Sequence, residues 1–156
     1  MGGADAEPLN LFRTVAHNEA LLDRFRQIGS TMLSFGRLPA VDRETVIHRT
    51  TARCGAEYEW GVHAALFAPG LGLDEDWLAA TVHGGDPADP LLLALVDELH
   101  DTGVATDATW GALRERYDDA QLVEVVCLVG FYHLVSFVCG TFGVEREPWA
   151  ARFPDA

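Results

Sequence analysis

The chain is short of bases. Eleven Arg and Lys stand against 24 Asp and Glu, a formal net charge of −13 over 156 residues. No basic stripe is present to neutralise phosphates, which argues against a nucleic acid partner. The same deficit argues against an anionic membrane surface. An anionic small molecule would need a local basic patch, and Arg43, Arg49 and Arg53 are the candidates for one. Cysteine is also scarce. Cys54, Cys127 and Cys139 form no Cys-x-x-Cys and lie too far apart for a zinc knuckle. Their odd number, with no signal peptide recognised, leads to an expectation of reduced thiols and a cytoplasmic location. Cys127 and Cys139 sit in an apolar run and are expected in the core. Sustained period-two alternation is missing, so no sheet is expected. Internal repeats and low-complexity tracts are missing too.

Helical patterning is what the chain does have. Length and a hydrophobic content of 49% suit one domain with a sizeable core. We expect an all-α single-domain bundle of about seven or eight helices over residues 9–156, preceded by a flexible arm at 1–8. Helices are expected over about 9–16, 19–35, 40–54, 57–68, from 74, 90–101, 106–117 and 118–141. Asn18 and Thr106 read as N-caps, and Gly36 and residues 69–72 read as breaks. The last helix is almost wholly apolar from Leu122 to Val144, broken by Glu124 and His133. It is long enough to cross a bilayer. The other helices are amphipathic and need a shared apolar partner, so this helix is expected at the centre of the bundle, outside any membrane.

Chemistry-bearing residues concentrate in residues 43–63, RETVIHRTTARCGAEYEWGVH. Glu44 and His48 are four apart on one expected helix, and Glu59 and His63 four apart on the next. A short turn at Cys54-Gly55-Ala56 can bring both pairs together. Spacing alone fits equally well with two solvated pairs worth about 0.2–0.5 kcal/mol each. His133 has two readings, a satisfied core histidine or a side chain in the same cavity as His63. Tyr58 and Trp60 suit an aromatic pocket or a subunit interface. Glu44, His48, Glu59 and His63 are ligand types, but no fixed metal-binding motif frames them, and no metal is expected.

The stretch resembles the signature of the carboxymuconolactone decarboxylase family, whose helical fold is shared with the alkylhydroperoxidase D proteins. In the peroxidase branch a Glu lies twelve residues before a Cys-x-x-Cys, and a His follows four after its second Cys. Here Glu44 lies twelve before Ala56, Ala56-Glu57-Tyr58-Glu59 stands in the dithiol position, and His63 falls four after Glu59. Leu11-Phe12-Arg13-Thr14, Asp97-Glu98-Leu99-His100 and Tyr132-His133-Leu134-Val135 are also similar to segments of the family. The resemblance covers about residues 9–150. It implies the alkylhydroperoxidase D-like bundle and a homo-oligomer, as a dimer, trimer or hexamer. Disulfide-linked peroxide reduction is not expected, because Ala56 and Glu59 replace both thiols.

Acid–base chemistry remains. The resemblance implies a lyase without metal or organic cofactor, acting on a small lactone or a carboxylated aromatic-derived or polyketide-like compound. Glu44 and His63 are its catalytic candidates, with His63 as proton donor and Glu44 orienting it. Arg53 is a candidate for holding a substrate carboxylate. His48, Cys54, Tyr58, Glu59, Trp60 and His133 are further candidates for substrate binding or support. Two alternatives stand beside this reading. One is a tailoring dehydratase or cyclase using the same pair. The other is a non-catalytic helical oligomer that binds a small molecule.

Overall fold

The computed structural model describes residues 7–155. Most of the expected arm at residues 1–8 lies outside them. Among the described residues there are nine helices and no strand: α1 (Asn10–Val15), α2 (Glu19–Ser34), α3 (Ala40–Arg53), α4 (Glu57–Leu66), α5 (Ala68–Leu71), α6 (Glu75–His83), α7 (Pro90–Thr102), α8 (Asp107–Arg116) and α9 (Asp119–Phe142). The all-α expectation holds. The additional element is α5, a single turn across residues expected as a plain break. Pro69 is tolerated there because a first-turn residue has no intrahelical partner for its N–H.

Helix starts follow local capping chemistry. The side chains of Asn18, Asp74, Asp89 and Thr106 accept backbone N–H groups at the starts of α2, α6, α7 and α8. Asp118 and Gln121 form a reciprocal capping box on α9. Between α3 and α4 the chain turns at Gly55, whose φ of 65° is the left-handed conformation that favours glycine. That turn lays α4 back against α3.

The centre of the molecule is α3. It packs against α4, α6, α7 and α9, and every residue from Glu44 to Thr51 is buried. The expectation that α9 alone forms the centre is therefore corrected. One face of α9 enters the core through Leu122, Val125, Leu128, Val129, Phe131, Tyr132 and Val135. Its opposite face leaves Val123, Leu134, Phe137 and Phe142 exposed. Cys127 lies on that outer face and is exposed, against expectation, whereas Cys139 is buried.

Several polar side chains of α3 are buried with partners, whereas His48 Nε2 and Thr50 Oγ1 are buried with none among the described residues. Arg49 makes a bidentate pair with Asp97 on α7, at 2.7 Å for both bonds, and donates to the carbonyls of Thr81 and Val82 at the end of α6. Asp42 accepts from the Tyr117 hydroxyl at 2.7 Å. The C-terminal segment closes the bundle over α4. The Ala151 N–H donates to the Gly61 carbonyl, and a Cβ at Gly61 would lie 2.1 Å from the Ala151 oxygen. Glycine is required there by close approach rather than by backbone angle.

Candidate active site

Glu44 and His63 meet across the Gly55 turn. Glu44 is wholly buried on α3, and its two carboxylate oxygens are divided between cations. Oε2 accepts from His63 Nδ1 at 2.8 Å, and Oε1 accepts from Arg43 Nε at 3.1 Å. Arg43 is itself steadied by the Leu33 carbonyl at the end of α2. On its other side His63 Nε2 lies 3.1 Å from the Tyr132 hydroxyl of α9 and 3.5 Å from Glu59 Oε1, one turn earlier on α4. Phe67 stacks on the imidazole, with centroids 4.7 Å apart and an interplanar angle of 21°. The ring is held at both nitrogens and on one face.

Burial and charge oppose each other at this pair, and charge wins. Burial would neutralise His63, but the Glu44 carboxylate beside it, with Glu59 behind, raises its pKa to about 9. Burial would likewise raise Glu44, yet His63, with Arg43, holds it below the ordinary carboxylate value. The pair is therefore an imidazolium and a carboxylate at neutral pH. Tyr132 stays a phenol, because burial and then the charges of Glu59 and Glu44 raise its pKa well above 10. With His63 protonated, Nε2–H donates to the Tyr132 oxygen. The phenol then keeps its own hydrogen for another acceptor.

His63, Glu59 and Tyr132 form the polar wall of a cavity of about 400 Å³ between α1, α2, α4 and α9. Its other walls are mainly apolar, with Phe12, Phe25, Leu33, Val62, Phe131 and Val135 among them. Among the described residues, Arg26 is the one basic side chain besides His63 on the wall. Glu59 Oε2 is buried and has no hydrogen-bond partner among the described residues. An unsatisfied buried carboxylate oxygen on a cavity wall is poised for a donor on a bound molecule.

The other candidates fall elsewhere. His48 lies behind the pair. Its Nδ1–H donates to the Glu44 carbonyl at 2.8 Å, and its ring meets Trp60 and Trp77 edge to face. Burial, then the charge on His63, lowers its pKa to about 4, so it stands neutral beside the pair. Trp60 does not line the cavity; its indole N–H donates to Thr81 and its ring packs on Phe153. Tyr58 does not line it either. Its hydroxyl accepts from the Leu11 N–H and donates to Glu147, tying α1 to the C-terminal segment. Arg53 is committed to Asp101 at 2.5 Å and Asp97 at 3.6 Å, so it holds no cavity anion. The proposed basic patch is likewise dispersed, since Arg43 and Arg49 are paired with Glu44 and Asp97. Cys54 and His133 do not line the cavity and cluster with His100.

Three contributors were not assigned to this site from sequence. Tyr132 lay inside a segment quoted for the family resemblance, which was the one signal available. Arg43 had been read only as part of a patch. Arg26 belongs to α2, which carries no motif at all.

Comparison with known proteins gives the fold. No protein-family profile matches the chain, and no curated protein does. Among solved structures it is similar to an uncharacterized peroxidase-related protein from Silicibacter sp. TM1040. The TM-score is 0.79 at 16% identity, over 92% of this chain and 80% of that one. At that identity the likeness establishes the architecture and not the activity: the chain has the all-α, alkylhydroperoxidase D-like fold.

Proposed function

We propose that the chain is an acid–base enzyme for a small, largely apolar carbonyl compound, with His63 as proton donor. One observation carries the reading. A buried imidazolium, oriented by Glu44 at Nδ1, presents Nε2 beside a phenol on the wall of a cavity of about 400 Å³. General acid catalysis needs a group protonated at working pH and held at a fixed angle, and the Glu44 carboxylate at Nδ1, which favours the protonated ring and orients it, supports the reading on both counts.

In the decarboxylase form of this reading, the substrate is a β-carbonyl acid or an unsaturated lactone acid. The carbon–carbon bond to its carboxylate breaks and carbon dioxide leaves. The electron pair passes into the conjugated carbonyl. Tyr132 donates a hydrogen bond to the resulting oxyanion, and His63 delivers a proton to carbon. Glu44 touches no substrate and acts as a positioning residue. Arg26 is the cation available to a substrate carboxylate. The reaction as written uses no cofactor.

Dehydration or cyclisation by the same pair is the second reading. The unpaired Glu59 oxygen favours it, since a carboxylate in the cavity suits a neutral hydroxylated substrate better than an acid. Thiol peroxidase chemistry lies outside the proposal. Both dithiol positions are filled by Ala56 and Glu59, and Cys139 is a poor nucleophile. Burial, then the charge of Glu59, pushes its thiol pKa up to about 12.

The test is incubation with a panel of unsaturated lactone acids, β-carbonyl acids and hydroxylated polyketide-like compounds, with products read by mass. Loss of carbon dioxide supports the first reading and loss of water the second, provided His63→Ala lowers either by about 10²–10⁴-fold. Turnover that His63→Ala leaves at the wild-type rate would overturn both. Saturable binding with no turnover across the panel would move the assignment to a binding protein.

A further inference from the structure

A second cluster of chemistry-bearing side chains lies outside the cavity. Cys54 is the C-cap of α3, His100 is in the last turn of α7, and His133 projects from α9. His100 Nδ1 is 3.0 Å from His133 Nε2 and 3.9 Å from Cys54 Sγ, and all three atoms lie within 4.8 Å of one another. A tetrahedral zinc ion with ordinary bond lengths would set its nitrogens about 3.3 Å apart and nitrogen from sulfur about 3.6 Å apart. The His100–His133 and His100–Cys54 edges differ from these by a few tenths of an ångström, within reach of side-chain rotation, and the Cys54–His133 edge lies within 4.8 Å.

Three further features suit a cation. His133 Nδ1–H donates to the Val129 carbonyl at 2.9 Å, which fixes the tautomer and leaves the Nε2 lone pair facing the cluster. Metal-bound histidines are ordinarily anchored in this way. Both α3 and α7 end at the cluster, so the negative ends of two helix dipoles converge on it. All three side chains are only partly buried, which leaves an entry path and a fourth position for water.

We propose that Cys54, His100 and His133 bind a zinc-class divalent cation that pins the ends of α3 and α7 to α9. The thiol loses its proton to solvent on binding, and both imidazoles remain neutral ligands. Sulfur and nitrogen donors without a carboxylate select zinc or cobalt over magnesium or calcium. The site departs from the sequence expectation of no metal. It also shares no residue with the group around His63.

The test is titration of the chelator-stripped full chain with cobalt, followed by zinc. A thiolate-to-cobalt charge-transfer band should saturate at one equivalent, be displaced by zinc and be unaffected by magnesium. Cys54→Ser should abolish the band. His100→Gln and His133→Gln should weaken binding by at least the ~10–100-fold that loss of an outer-shell partner costs. Cys127→Ser, on the exposed face, should leave the band intact. Alkylation of the wild-type chain keeps the test independent of how the variants fold. Zinc should shield Cys54 and leave Cys127 reactive. Equal alkylation of Cys54 with and without zinc, or a band that survives Cys54→Ser, would overturn the site.

Discussion

At the scale of single residues, the proposed function turns on which nitrogen of His63 faces what. Glu44 takes Nδ1, so Nε2 is left for the cavity. Removing the imidazole by His63→Ala should lower turnover by about 10²–10⁴-fold, the usual contribution of a general acid. Glu44→Gln should act through His63. Burial would then be opposed by less charge, and the imidazole pKa should fall. The basic limb of the pH–rate profile, expected near 9 in the wild type, should move to lower pH in Glu44→Gln. An unmoved limb would remove Glu44 from its role. The double variant should be little worse than either single one, because the two act as a unit. This pair was legible in the sequence because one short turn joins two helices that carry it. Tyr132 was not, since a tyrosine in an apolar run reads as core. Of the two readings open for His133, the cavity one fails for a related reason: one residue further along α9 is about 100° around the helix, a different face.

At the scale of helices, polarity and burial part company. α3 carries Glu44, His48, Arg49 and three buried threonines, yet it is the most enclosed element. A periodicity reading places such a helix at the surface, and only the partners supplied by other helices reverse that. The converse holds for α9. Its apolar residues run all round, so nothing in the pattern told the buried face from the exposed one. The buried face is testable through Val129, which is 3% exposed. Val129→Asp would bury an unpaired charge and should cost at least about 4 kcal/mol by denaturant unfolding. A variant as stable as wild type would contradict the packing of α9. His48 gives α3 a pH signature. Its pKa falls from 6.5 to about 4 on folding, so its neutral form is favoured in the folded chain. The stability this contributes is present above 6.5 and is lost as pH falls toward 4. His48→Gln, which retains a donor for the Glu44 carbonyl, should flatten the loss of stability over that window. An unchanged slope would assign the acid sensitivity to other groups.

At the scale of the whole molecule, the outer face of α9 has no partner among the described residues. Val123 is 65% exposed, Leu134 45%, Phe137 62% and Phe142 71%. Val123, Cys127, Gly130, Leu134 and Phe137 recur every three or four residues, forming one stripe along the helix, with Phe142 exposed at its end. Phe35, at 79% exposed, and Trp149, at 47%, add apolar surface elsewhere. The helix is also long and apolar enough to cross a membrane by length and composition, but half of its most apolar window is buried against the bundle. We propose that this face is covered by a second copy of the chain. Contiguous apolar surface of this kind marks association sites, and self-complementary stripes favour two-fold pairing. The net charge of −13 opposes association, so apolar burial has to outweigh that repulsion. Dimerisation should accordingly strengthen with added salt, which screens like charges. Sedimentation at micromolar concentration should give at least twice the chain mass of 17.0 kDa. Phe137→Glu should shift the protein toward monomer while its helical circular dichroism is retained, because that side chain points away from the core. A wild-type chain that sediments as a 17.0 kDa monomer at high salt would remove the second copy from α9.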